Sequence, residues 1–171
     1  MGHGPGGQQG RALAAARGPV VPLQVLRIAT SIHISAPIGR VWSVLMDFAA
    51  YPNWNPFIRS LSGSPTPGGR LNVTIQPAGG KVMSFSPRVI VCEQEKEFRW
   101  KGSVIVPGIF DGEHYFQLAS ADGASTTFAH GEDFSGLLVP LVMRGAMRSG
   151  TEGGFVAMNQ ALKARAEARD T

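Results

Sequence analysis

Cysteine is nearly missing: Cys92 is the only one in 171 residues. No internal disulfide can form, and no thiolate metal cluster can be built. Cys92 sits in an apolar stretch and reads as a small core residue. Long apolar runs are missing as well. None approaches the roughly 20 residues that a membrane-spanning helix needs. The run 12–16, bounded by Arg11 and Arg17, is too weak for a signal-peptide core. The absent signal and the lone cysteine point to the cytoplasm. Charge is sparse, at 16% of residues with a net +4. The basic residues are scattered, and Lys163, Arg165 and Arg169 suit the C-terminal end of a helix. There is no basic stripe interleaved with aromatics, so no nucleic-acid partner is expected. The sequence carries no Gly-x-Ser-x-Gly elbow, Walker loop or dinucleotide fingerprint. No cofactor and no metal are expected.

What is present divides in two. Residues 1–22 are Gly-rich and without hydrophobic periodicity, and read as a flexible extension. Residues 23–171 read as one domain, long enough for a sizeable core. Within it, 26–35 alternates, with Ile28, Thr30, Ile32 and Ile34 on one face, the pattern of a half-buried strand. Ser35-Ala36-Pro37 then opens a helix, with serine available as a cap and proline tolerated in the first turn. Ile38, Val41, Trp42 and Leu45 recur at helical spacing. Tyr51-Pro52-Asn53-Trp54-Asn55-Pro56-Phe57 is limited by its prolines to a broken turn or a very short second helix.

From Phe57 to Ser135 the chain reads as strands and turns. Leu71, Val73 and Ile75 alternate; Pro77-Ala78-Gly79-Gly80 makes a hairpin connection; 81–93 reads as one longer strand. Hairpin-length links argue for an antiparallel meander, which needs a cover. The only long element available is the C-terminal stretch 137–170. It holds Leu138, Leu141, Val142 and Gly145 on one helical face and Phe155, Met158 and Leu162 on another. Gly150, Gly153 and Gly154 interrupt it, each costing about 1 kcal/mol against alanine inside a helix. The expectation is a helix that continues but is weakened or bent between Ser149 and Gly154.

This order resembles the START-like superfamily, also called SRPBCC or helix-grip, of the polyketide cyclase/dehydrase and lipid-transport type. The resemblance rests on Ser35-Ala36-Pro37-Ile38, on Val41-Trp42-Ser43-Val44-Leu45-Met46-Asp47-Phe48, and on Trp54-Asn55-Pro56-Phe57. It continues in Glu97-Phe98-Arg99-Trp100-Lys101-Gly102, Gly112-Glu113-His114-Tyr115-Phe116 and His130-Gly131-Glu132-Asp133-Phe134. It covers about 26–167. It implies an α+β fold: a curved seven-stranded antiparallel sheet gripping a long C-terminal helix, with a short helix pair after strand 1. It also implies a mostly apolar cavity between sheet and helix, taking a small hydrophobic ligand such as a lipid, isoprenoid or polyketide-like compound. The superfamily hosts carriers, cyclases and sensors on one scaffold, so the resemblance fixes no activity.

Three polar residues, His114, His130 and Glu132, fall on strand faces that are otherwise aromatic. If the phenylalanines turn inward, the three share one space. A two-His-one-carboxylate metal site is one reading, but the spacing matches no metal motif. A general acid/base pair, with Glu132 setting the His130 tautomer, would serve an aromatase/cyclase or dehydratase. Polar groups that orient a ligand or a water in an apolar pocket are the preferred reading. Trp54, Phe98, Trp100, Phe110, Phe116, Phe128 and Phe134 can be core or cavity wall. With Leu141 and Gly145 from the last helix, and the three polar residues, they make the candidate ligand-binding set. An interaction module with a collapsed cavity is the remaining alternative; it predicts a filled core and an exposed apolar patch.

Overall fold

The computed structural model describes Met1 and residues 25–103 and 106–168. The extension expected over 1–22 lies, Met1 aside, outside the described residues. Strand β1 (Leu26–Ile34) leads into helix α1 (Ile38–Met46), a 3₁₀ turn (Phe48–Ala50) and the four-residue α2 (Tyr51–Trp54). The short helix pair is therefore as expected. Ser35 is not the cap. Pro37 holds the N-cap position with no side-chain bond. Helical geometry starts only at Ile38, so the Ser35 hydroxyl lies outside the first turn. Its backbone N–H instead donates to the Glu167 carboxylate at 2.6 Å, tying the end of β1 to the end of the last helix.

The strands that follow are β2 (Ile58–Gly63), β3 (Leu71–Ile75), β4 (Met83–Phe85), β5 (Arg88–Glu93), β6 (Glu97–Ser103), β7 (Asp111–Ser120) and β8 (Thr126–Ser135). All pairings are antiparallel, in the orders β1-β8-β7-β6-β5 and β2-β3-β4. Among the described residues the count is eight strands in two sheets, not seven in one. The stretch 81–93 is split because Pro87 has no N–H for a ladder. The two sheets still join at this point: Leu71 N–H donates to the Pro87 carbonyl, and Arg70 bridges Arg88. The result is a curved wall with α4 (Ala146–Glu167) laid against it, the helix-grip arrangement.

The C-terminal helix is not one piece. A single turn, α3 (Val139–Val142), precedes α4. The discontinuity falls at Gly145, with φ 55° and ψ −131°, and not between Ser149 and Gly154. That backbone state is open to glycine and strained for other residues. Helix α4 then runs unbroken through all three glycines. Its buried face is Thr151, Gly154, Phe155, Met158, Asn159, Leu162 and Ala166. The C-terminal half of this face packs on β1 and α1 and seals a solid core.

Candidate functional site

The N-terminal half of α4 does not seal. Between it, α3, β4 and the Trp100–Ser103, Gly112–His114 and Glu132–Phe134 segments lies a cavity of about 620 Å³. This volume falls in the usual range for small-molecule sites. Its wall is mostly apolar: Phe57, Ile58, Ile75 and Phe85 on one side, Trp100, Phe110 and Phe134 on another, and Leu138, Val142, Met143 and Met147 from the helical side. Met83 and Met147 are partly exposed at its edge.

Polar groups on the wall are few, and the deepest belong to one hydrogen-bonded chain. Pairing of β7 with β8 sets His114 opposite Glu132 and Phe116 opposite His130. Glu132 Oε2 stands 3.2 Å from His114 Nδ1. His114 Nε2 stands 2.9 Å from His130 Nε2, and His130 Nδ1 stands 3.0 Å from Asn159 Oδ1 on α4. Asn159 Nδ2 donates to Thr30 Oγ1 at 2.9 Å, and the Thr30 hydroxyl donates to the His130 carbonyl at 3.0 Å. Trp100 stacks on His114 with ring centroids 4.7 Å apart, and Phe155 stacks on His130 at 4.0 Å. These rings fix both imidazoles from the sides that hydrogen bonds leave free.

Burial sets the protonation of this chain. It pushes the Glu132 carboxyl up to about 8, with the nearby Asp133 charge adding to the effect. It brings His114 down to about 3, and His130 well below the ordinary histidine value. Glu132 and His114 therefore meet at neutral pH as two uncharged groups rather than as an ion pair. Glu132 keeps 17% of its side-chain surface accessible, and it lines the cavity. The two histidines do not converge on a common point with Glu132. Their Nε2 atoms face each other at hydrogen-bond distance. Glu132 touches His114 and not His130; Asn159 is the residue that orients His130.

Of the residues singled out from sequence, Trp100, Phe110, His114, Glu132 and Phe134 line the cavity. His130 lies behind His114, fully buried. Phe98, Phe116 and Phe128 are fully buried and stack on one another deeper in the sheet, where the C-terminal half of α4 closes the core. Trp54 packs on Tyr51, away from the cavity. Leu141 is exposed, and Gly145 marks the break before α4. Neither lines the cavity: Val142 at the end of α3 and Met143 just after it do so in their place. Asn159, Thr30 and Thr151 are site residues that sequence reasoning does not single out. The available signal for Asn159 is its position four residues after Phe155 and three before Leu162, a polar residue on the buried face of the helix.

The chain has relatives among known proteins. The family model described as "Polyketide cyclase / dehydrase and lipid transport" matches residues 25–167. No curated protein sequence matches the chain. Among solved structures, the Zhui aromatase/cyclase from Streptomyces sp. R1128 is 17% identical, with a TM-score of 0.69 over 84% of this chain and 94% of that one. A START superfamily protein from Mycobacterium smegmatis is 20% identical, with a TM-score of 0.63 over 82% and 97%. Truncated norcoclaurine synthase from Thalictrum flavum is 14% identical, with a TM-score of 0.66 over 86% and 97%. At these identities the likeness is one of fold.

Proposed function

The chain belongs to the polyketide cyclase / dehydrase and lipid transport family, and from that premise we propose that it binds a small, mainly apolar ligand between the sheet and α4. The observation that carries this reading is the cavity of about 620 Å³, walled mostly by aromatic and aliphatic side chains, with Glu132 on the wall hydrogen-bonded to a histidine pair. An apolar wall supplies affinity through burial, and a few fixed polar groups supply orientation. Lipid, isoprenoid and polyketide-like compounds have this balance. Among the described residues no helix is long and apolar enough to cross a membrane. Native mass spectrometry of the protein purified from two expression hosts tests the reading. A co-purifying apolar mass is expected, and a Val142→Trp variant, which fills the cavity, should lose it. Ligand-free protein from both hosts, with no uptake of an added apolar dye, would count against it.

A second reading is turnover, as an aromatase/cyclase or dehydratase. The observation that favours it is the Glu132 carboxyl, pushed up to about 8 on the cavity wall. A carboxyl still protonated near neutral pH is what a general acid requires. On this reading Glu132 gives a proton to the substrate, and His114 and His130 hold the carboxyl in place. Glu132→Gln separates the two: it should abolish turnover while leaving binding of an apolar ligand nearly intact.

A further inference from the structure

The hydrogen-bond chain behind the cavity has a direction, and its far end sets it. Thr30 has one hydroxyl proton, and that proton goes to the His130 carbonyl, which can only accept. Thr30 Oγ1 must therefore accept from Asn159, which turns Asn159 Nδ2 toward Thr30 and Oδ1 toward His130. An amide oxygen only accepts, so His130 Nδ1 carries a proton. The ring is neutral, which makes His130 Nε2 an acceptor. His114 Nε2 must then donate across the 2.9 Å contact, and a neutral His114 is left with Nδ1 as an acceptor. The last link, 3.2 Å long, closes only if Glu132 Oε2 carries a proton. The reverse direction would leave the His130 carbonyl without the Thr30 proton and put a carboxylate against an apolar wall.

We propose that Thr30 and Asn159 are positioning residues that hold Glu132 as an uncharged acid with its proton turned toward His114. Its other oxygen, Oε1, then meets the ligand as an acceptor, so the site takes uncharged, hydroxyl-bearing aromatic molecules and turns carboxylates away. Oε1 lies over Gly112 on the cavity wall and has no hydrogen-bond partner among the described residues. Trp100, Phe110 and Phe134 flank that part of the wall and suit a flat ring. The chain stops at Asn159 and Thr30, neither of which takes up a proton, so it fixes a protonation state and does not conduct protons. This inference rests on the binding reading above.

Three probes with one ring system test it: 2-naphthol, 2-methoxynaphthalene and 2-naphthoate, titrated calorimetrically into the full-length protein at pH 6.5. The hydroxyl compound should bind about tenfold more tightly than the methoxy compound, the size of one well-placed hydrogen bond. The carboxylate should bind weakest, because it faces an acceptor oxygen and must shed its water. Naphthol and methoxynaphthalene binding alike, or naphthoate binding as well as naphthol, overturns the inference and leaves the cavity reading standing. Binding of none of the three overturns both. Thr30→Val and Asn159→Leu each free the direction of the chain. Titrated by the ¹³C shift of the Glu132 carboxyl, assigned through Glu132→Gln, each should lower the Glu132 midpoint by about one pH unit and narrow the naphthol preference. A variant that merely loosens the fold would change thermal stability and not this midpoint. Two variants that keep both the wild-type midpoint and the wild-type preference overturn the proposal.

Discussion

His114 and His130 meet nitrogen to nitrogen, Nε2 to Nε2 at 2.9 Å, both buried, with only His114 at the edge of the cavity. Only one proton fits between them. Two imidazolium rings at this distance would face each other with like charges and little solvent to screen them. Burial disfavours charging even one of the two rings. That condition gives the protein a pH dependence opposite on its acid side to that on its alkaline side.

On the acid side, His114 and His130 have folded-state values below the ordinary 6.5. The unfolded chain takes up protons there that the folded chain refuses, so stability rises as pH climbs toward 6.5. On the alkaline side, Glu132 is held above its ordinary 4.5, at about 8. Between those values the folded state keeps a proton that the unfolded state has lost, so this group's contribution falls with rising pH. Below pH 6.5 the two histidines outweigh the one carboxyl; above it only the carboxyl term remains. Maximum stability should lie near pH 6.5, with a loss of up to about 1.4 kcal/mol per pH unit toward pH 8. Urea denaturation at pH 5, 6.5 and 8 measures this. Glu132→Gln should keep the acid limb and flatten the alkaline one, since an amide can still donate to His114. A wild-type protein that gains stability from pH 6.5 to 8 would contradict the assignment.

Strand periodicity alone makes much of this site legible. His114, His130 and Glu132 stand out because each occupies an inward position among phenylalanines, and the β7–β8 register does bring them together. The register itself cannot be read from the pattern, because a pairing shifted by two residues keeps the same faces. That is why periodicity pairs Glu132 with the wrong histidine. Pro87 is visible in the sequence, yet its consequence, two strands in place of one, depends on which neighbour needs its missing N–H. The break at Gly145 is hidden for a related reason. Leu138, Leu141 and Val142 fit a helical stripe, and periodicity does not register a single left-handed residue. Asn159 is hidden by its type, since a helix asparagine is more often solvated than buried.

Gly112 sits directly beneath the carboxyl that the ligand is proposed to meet. A Cβ at this position would collide with Glu132 Oε1. Gly112→Ala should therefore swing the carboxyl away from the ring-binding wall and from His114. The change adds one methyl beside a cavity, so the fold can absorb it. Affinity for 2-naphthol should drop about tenfold, the loss of one hydrogen bond, while 2-methoxynaphthalene binding changes little. Calorimetry on the variant checks both. Equal losses for the two probes would mean that the methyl group blocks the cavity rather than displacing Glu132.

Gly153 and Gly154 are neighbours on α4 with opposite surroundings. Gly153 is exposed, and a Cβ there would meet nothing within 4 Å. Gly154 is buried, and its Cβ would run into the ring of Phe57, which itself packs edge-on against Phe155. Gly153→Ala should thus raise stability by about 1 kcal/mol through helix propensity alone. Gly154→Ala gains the same propensity but must push a fully buried ring, and overpacking of this kind costs about 1–3 kcal/mol. It should destabilise the protein or leave it near neutral. Phe57 also lines the cavity, so Gly154→Ala should change ligand affinity as well. Denaturant midpoints with parallel ligand titrations separate the cases. The informative exception is Gly153→Ala. Its methyl group touches neither ligand nor wall, so a gain in stability with unchanged affinity means that α4 is a fixed wall. A gain in stability accompanied by slower ligand entry would mean that the helix must loosen at this point to admit the ligand, and that its glycines are kept for motion rather than for space.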